Sequence, residues 1–133
     1  MTTTKPLFFM LILISALLAL LSAAVFYRVN HSDPLPEIMG KAEKGDADAQ
    51  YNLGLAYKKG EGVKQDYAAA LKWLKLAAVQ KNAKAAYILG EMYQDGKGVK
   101  QDYEMAVKWF EEACDNGSSD GCKIYQHMRS VGY

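Results

Sequence analysis

The sequence predicts an all-α chain: an α/α solenoid of about two and a half helix-pair repeats, preceded by an N-terminal transmembrane helix. Three observations predict it. A block of residues occurs twice at a fixed offset. The apolar residues inside each block recur at helical spacing, and no alternating stretch competes as a strand. The first part of the chain is long, apolar and uncharged.

Pro6 to Tyr27 carries no charged side chain, and nearly every residue from Leu7 to Leu21 is apolar. About 20 apolar residues suffice to cross a hydrocarbon core as a helix. Two readings compete for residues 1–28. One is a cleaved secretory signal, whose apolar region is about 7–15 residues. The other is an uncleaved anchor through residues 7–27, which the length favours. Ser22-Ala23-Ala24 offers small residues to a peptidase, so cleavage stays open. No Cys lies near the run, which argues against a lipid anchor. Both readings carry the remaining chain across the membrane.

All 15 acidic residues, and all but Lys5 of the 16 basic ones, lie beyond Tyr27. That part therefore has no net formal charge. A nucleic-acid binder needs a basic face to displace counterions, so that class is excluded. About a hundred residues build one small core, marginal without extra ties.

Residues 29–36, with Pro34 and Pro36, read as a linker. Residues 37–133 read as the repeat domain, with units at about 42–78 and 79–114 and a partial one at 115–133. Glu37–Lys44 is a short starter helix, since Pro36 suits a first helical turn. The first helices of the two units are expected at about Ala47–Lys58 and Ala83–Gln94. Ala49, Leu53, Ala56 and Tyr57 recur there at helical spacing, as do Ala85, Leu89, Met92 and Tyr93. Gly54 and Gly90 sit in mid-helix, where Gly costs about 1 kcal/mol relative to Ala, so a neighbouring helix is expected to approach closely. Gly60-x-Gly62 and Gly96-x-Gly98 end these helices, because Gly takes positive φ just past a helix end. Asp66 and Asp102 are expected N-caps. The second helices follow at about Tyr67–Val79 and Tyr103–Cys114, with Tyr67, Ala70, Leu74 and Ala77 in one stripe and Trp73 beside it. A last helix, about Asp120–Arg129, opens a third unit and stops after its first half. The Tyr and Trp residues read as interlocking contacts between helix pairs.

The repeat itself is Tyr51-x-Leu53-Gly54-x-x-Tyr57, then Gly60-x-Gly62-Val63-Lys64-Gln65-Asp66-Tyr67, then Ala70-x-Lys72-Trp73. It returns at Tyr87, Gly96 and Ala106. Gly54 to Gly90 and Trp73 to Trp109 are both 36 residues (90 minus 54, 109 minus 73). Such a period marks stacked units that bury their apolar faces only against neighbours. It favours binding over catalysis.

Cys114 and Cys122 stand where the preceding unit has Ala78 and Ala86, and the one before Ala42 and Gln50. The turn from Asp115 to Asp120 is short, so their Cα atoms can come within the roughly 4.4–6.8 Å of a disulfide. The competing reading is two small buried residues, like the alanines they replace. Their spacing does not suit zinc.

These segments resemble the Sel-one-like repeat (SLR) family: Leu-Gly-x-x-Tyr, Gly-x-Gly-Val-x-x-Asp and Ala-x-x-Trp, twice in phase over about Ala42–Met128. The resemblance implies tetratricopeptide-like α/α units in a right-handed superhelix. Ala113-Cys114-Asp115 and Asp120-Gly121-Cys122 are similar to the cysteine-rich secreted branch, where the pair bonds between adjacent repeats. The earlier unit departs from that branch, with Ala78 and Ala86. The implied role is protein–protein interaction. The implied place is a bacterial inner membrane, single-pass, with the repeats in the periplasm, or the periplasm or exterior after signal cleavage. Some members resemble periplasmic immunity proteins that neutralise secreted lipase effectors. A few cysteine-rich members have been linked to β-lactam binding or hydrolysis.

Residues argue against that last reading. Ser32, Ser118, Ser119 and Ser130 do not begin Ser-x-x-Lys, and His31 and His127 are single. A serine acylase needs a nucleophile with a base in reach. No catalytic residue, metal ligand or cofactor is expected. A protein partner is. Asn52, Leu55 and Lys59 share one helix face at i, i+3, i+7, and their equivalents are Ile88, Glu91 and Asp95. Scaffold positions repeat while this face changes chemistry, as a partner-reading surface should. The competing reading is solvated positions free to drift. Leu55 and Ile88 are expected to lie outside the core. Fewer than three whole units need support from the disulfide, the tether, a partner or self-association.

Overall fold

The computed structural model describes residues 5–30 and 34–133, in two compact units, Met1–Asp33 and Pro34–Tyr133. Helix α1, Lys5–Asn30, makes the first. The window Pro6–Ala23 has mean hydropathy 2.5, long and apolar enough to cross a membrane. Its apolar side chains are exposed from Leu7 to Leu21. Its two serines donate to their own helix, Ser15 Oγ to the Ile12 carbonyl at 2.8 Å and Ser22 Oγ to the Ala19 carbonyl at 2.9 Å. Both hydroxyls are thus satisfied within the helix.

The second unit is six helices: α2 Leu35–Glu43, α3 Ala47–Lys59, α4 Tyr67–Val79, α5 Ala83–Asp95, α6 Tyr103–Asp115 and α7 Ser119–Ser130. No strand occurs among the described residues. Each helix packs mainly on the next in sequence, as a one-dimensional stack requires. The expected linker, 29–36, falls partly outside the described residues. Val29 and Asn30 are helical, and so are Leu35 and Pro36, while 31–33, with His31, lie outside the described residues. Pro36 takes the second position of α2, where its missing N–H would have had no partner in any case.

The caps explain the repeated loop. Asp66 and Asp102 accept from the amides of Ala69 and Met105, at 3.0 and 2.9 Å. Asp46, Asn82 and Ser118 cap α3, α5 and α7 in the same way. Gly60 and Gly96 end α3 and α5 at φ 74° and 68°. Gln65 and Gln101 were silent in the sequence. Each donates its side-chain amide to a carbonyl in the last turn of the preceding first helix, Lys58 at 2.9 Å and Gln94 at 2.7 Å, and to the hydroxyl of Tyr67 or Tyr103. One Gln-Asp-Tyr run thus closes one helix and opens the next.

The expected close approaches are present. A Cβ on Gly54 would stand 2.7 Å from Leu74 Cγ, and one on Gly90 would stand 2.7 Å from Phe110 Cε1. Both neighbours are fully buried. The core is divided along the stack. Leu35, Ala42, Ala49 and Leu53 form one cluster with Trp73 against it. Leu74, Leu89 and Met92 centre the next. Ala106, Val107, Phe110 and Met128 form the last. Ile88 packs against the middle cluster, which corrects the expectation that it stands clear of the core. It joins Tyr51 and Tyr87, which pack on the same cluster from α3 and α5.

Cys114 and Cys122 are bonded, with Cα atoms 4.4 Å apart. At the same register one end earlier, Gln50 Nε2 donates to the Ala42 carbonyl at 3.1 Å. Gln80 reinforces that tie, donating to Gln50 Oε1 at 2.8 Å and to the Gly45 carbonyl at 2.9 Å.

Candidate functional site

Three first helices contribute to one cleft of about 290 Å³, lined by Tyr51 of α3, Lys84, Tyr87 and Ile88 of α5, and Ser118 and Asp120 at the start of α7. Tyr51 and Tyr87 occupy one register position, and so do Asp48, Lys84 and Asp120, which alternate in sign along the stack. The floor is half-buried: Tyr51, Tyr87 and Ile88 all pack on the middle core cluster. The charged rim residues Lys84 and Asp120 are exposed, and Ser118 is half-buried.

Tyr87 is fixed in place. Its ring meets Phe110 edge-on at 5.6 Å between centroids. Burial pushes its phenol above the ordinary range, and the carboxylates of Glu91 and Asp120 add to the shift. It therefore remains a neutral hydroxyl at physiological pH. An aromatic and aliphatic floor under a small polar rim suits a partner side chain that packs and hydrogen-bonds together. Among the described residues no three His, Cys, Asp or Glu side chains converge as a metal site would need.

Of the six residues singled out in the sequence, Ile88 lines this cleft. Asn52 is exposed and Leu55 half-buried on α3. Lys59 is exposed and pairs with Glu61 at 3.6 Å, and Asp95 pairs with Lys97 at 3.0 Å. Glu91 receives Lys58 of α3 at 3.3 Å, an ion pair that ties adjacent first helices. The cleft residues Tyr51, Lys84, Tyr87, Ser118 and Asp120 were not singled out. The alternating charge at 48, 84 and 120 was a readable signal. The tyrosines repeat without change, so a reading that sought variation passed over them.

A second cleft, about 370 Å³, lies between α6 and α7 and includes Val107, Glu111, Tyr125 and Tyr133. Tyr125 donates to Glu111 Oε1 at 2.7 Å. Its register equivalents one unit earlier include Leu71, which the loop at Gly98 covers. Its lining comes from α6, α7 and Tyr133 alone.

A Sel1 repeat model matches residues 47–82 and 83–118, which pairs α3 with α4 and α5 with α6. A comparison with curated proteins found no match. Among solved structures the chain is similar to the Sel1 repeat protein from Oxalobacter formigenes, at 34% identity and TM-score 0.65, over 68% of this chain and 37% of that one. It is similar to a protective antigen of uropathogenic Escherichia coli strains displaying an SLR fold, at 33% identity and TM-score 0.71, over 84% of this chain and 25% of that one. Helicobacter pylori cysteine rich protein B matches at 32% identity and TM-score 0.65, over 68% of each chain. The chain thus spans well under half the length of the first two.

Proposed function

The chain belongs to the Sel1 repeat family, and from that premise we propose that its repeat unit is a protein–protein interaction module, anchored in a membrane by α1 and exposed outside the cytoplasm. The observation that carries the reading is the cleft shared by α3, α5 and α7. Its scaffold repeats, its floor is aromatic and held by packing, and its rim changes sign from unit to unit. Preorganised aromatic anchors are what affinity rests on when a small surface binds a partner. Support for the location comes from the apolar α1 and from the Cys114–Cys122 bond, since disulfides persist in oxidising compartments. The partner is a protein segment that seats an apolar side chain over Tyr51, Tyr87 and Ile88. Asn52 extends the same face and is exposed.

Photo-crosslinking in intact cells tests it. A crosslinking residue placed at Asn52 or Lys84 should give a protein adduct, and one at Lys108 on the outer side of α6 should not. Adducts from Lys108 alone would show that the partner binds elsewhere. A reporter active only after export, fused after Tyr133, checks the side of the membrane in the same strain.

A further inference from the structure

The outer faces of α4 and α6 are built on one template and carry opposite chemistry. Ala68, Lys72, Lys75, Leu76 and Val79 fall on one face of α4, and all five are exposed. Their register equivalents on α6 are Glu104, Lys108, Glu111, Glu112 and Asp115, also all exposed. Helix α4 contains no acidic residue and carries Lys72 and Lys75, with Lys81 just beyond its end. Leu76 is 42% exposed and Val79 82%, where α6 has Glu112 and Asp115. Solvent exposure explains the α6 face. It does not explain two bare aliphatic side chains among lysines.

We propose that the outer face of α4 docks on a bilayer containing anionic lipid, with Leu76 and Val79 entering the headgroup boundary and Lys72, Lys75 and Lys81 pairing with lipid phosphates. The inference rests on the reading of α1 as a membrane anchor. Lysines around a small apolar wedge are the composition of a helix that lies on an interface. The ammonium groups of Lys72 and Lys75 stand 5.6 Å from the ring centroids of Trp73 and Tyr93, and both side chains remain exposed at the edge of the apolar patch. The acidic face of α6 would be repelled by the same surface, which fixes the orientation.

Two further facts favour lipid over a second copy. The α6 face of another copy offers carboxylates to the lysines but no apolar side chain to cover Leu76 and Val79. The second unit is also joined to α1 in sequence, with residues 31–33 between Asn30 and Pro34. A repeat unit tethered through α1 meets the bilayer that holds α1 at high effective concentration. A modest patch then suffices.

The test uses the full chain in vesicles of phosphatidylcholine, with or without about a third phosphatidylglycerol. A fluorophore is attached at Val79→Cys or at Asp115→Cys, and the lipid carries a nitroxide quencher. The label at 79 should be quenched about twofold more in the anionic vesicles, and the label at 115 should not respond. About 0.5 M NaCl should remove the difference, as should Lys72→Glu with Lys75→Glu at unchanged helical content. Equal quenching at 79 and 115, or no dependence on phosphatidylglycerol, would overturn the proposal. So would shielding at 79 that grows with protein-to-lipid ratio whatever the lipid, because a second copy would then be the occupant. Alkaline carbonate separates the two readings. If it strips the chain from neutral vesicles, α1 is no anchor. Docking then stands if the unlabelled chain floats with anionic vesicles alone, and falls if it floats with neither.

Discussion

Gly90→Ala should destabilise the repeat unit although alanine is the better helix former. The added Cβ would stand 2.7, 2.8 and 2.9 Å from Cε1, Cδ1 and Cζ of Phe110. Those are atoms of a fully buried ring that also meets Tyr87, so the ring has nowhere free to swing. Propensity favours the substitution by about 1 kcal/mol. Overpacking opposes it by about 1–3 kcal/mol. The net is a loss of up to about 2 kcal/mol, or up to about 16 °C in Tm for a unit of about a hundred residues. Gly40→Ala is the control. Gly40 lies within α2, and nothing stands within 4 Å of its Cβ position. Only propensity acts there, so that variant should gain up to about 1 kcal/mol. Urea denaturation followed by far-UV circular dichroism measures both. If Gly90→Ala proves as stable as Gly40→Ala, close helix approach is not why glycine stands at that crossing.

Cys114→Ser should lower stability by about 2 kcal/mol, from the regained freedom of an eight-residue separation, and reductant should reproduce the effect on the parent chain by calorimetry. Trp109→Phe should cost about 1 kcal/mol less than Trp73→Phe in urea midpoints, because the Trp109 indole N–H is buried without an acceptor and its removal relieves a penalty. Tyr87 gives a pH prediction. Its folded pKa lies above the ordinary 10.0, so the folded state keeps a proton that the unfolded chain loses. That stability is complete below the unfolded value and falls as pH rises past it. Tyr87→Phe should flatten the alkaline decline in Tm, and an unchanged decline would show that other groups govern it.

The stack was legible because its determinants are local. Gly60 and Gly96 announce helix ends, Asp66 and Asp102 announce starts, and a 36-residue offset leaves little choice of architecture. Helix limits moved by one residue at the ends of α3, α5 and α6 and at both ends of α7, and by up to two at α2. Gln65 and Gln101 show what was missed: their role needs the preceding helix end in space. The cleft was less legible for a similar reason. Tyr51, Lys84 and Asp120 come from three helices, and their convergence depends on how the units stack. Ile88 shows the limit of comparing equivalent positions, because Asn52 at the same register is exposed. One signal at the last helix was open to reading. Gln126 replaces the crossing glycine of Gly54 and Gly90, and it is exposed. A helix with glutamine there is not shaped to receive a partner as closely as α3 receives α4.

The two ties at the 42–50 and 114–122 registers make the repeat unit directional. A linear stack loosens from its ends, where a terminal helix has a neighbour on one side only. At the α2 end the fastening is Gln50 to a backbone carbonyl, and no electron donor affects it. At the α7 end it is covalent and reducible. Under oxidising conditions unzipping should therefore begin at α2, with backbone amides there exchanging first. Reductant should move the starting point to α7, beside the Ser118 and Asp120 rim of the cleft, and leave α2 unchanged. The redox state of the surroundings should thus select which end of the repeat unit opens first, and the α7 end carries Ser118 and Asp120 of the proposed binding surface.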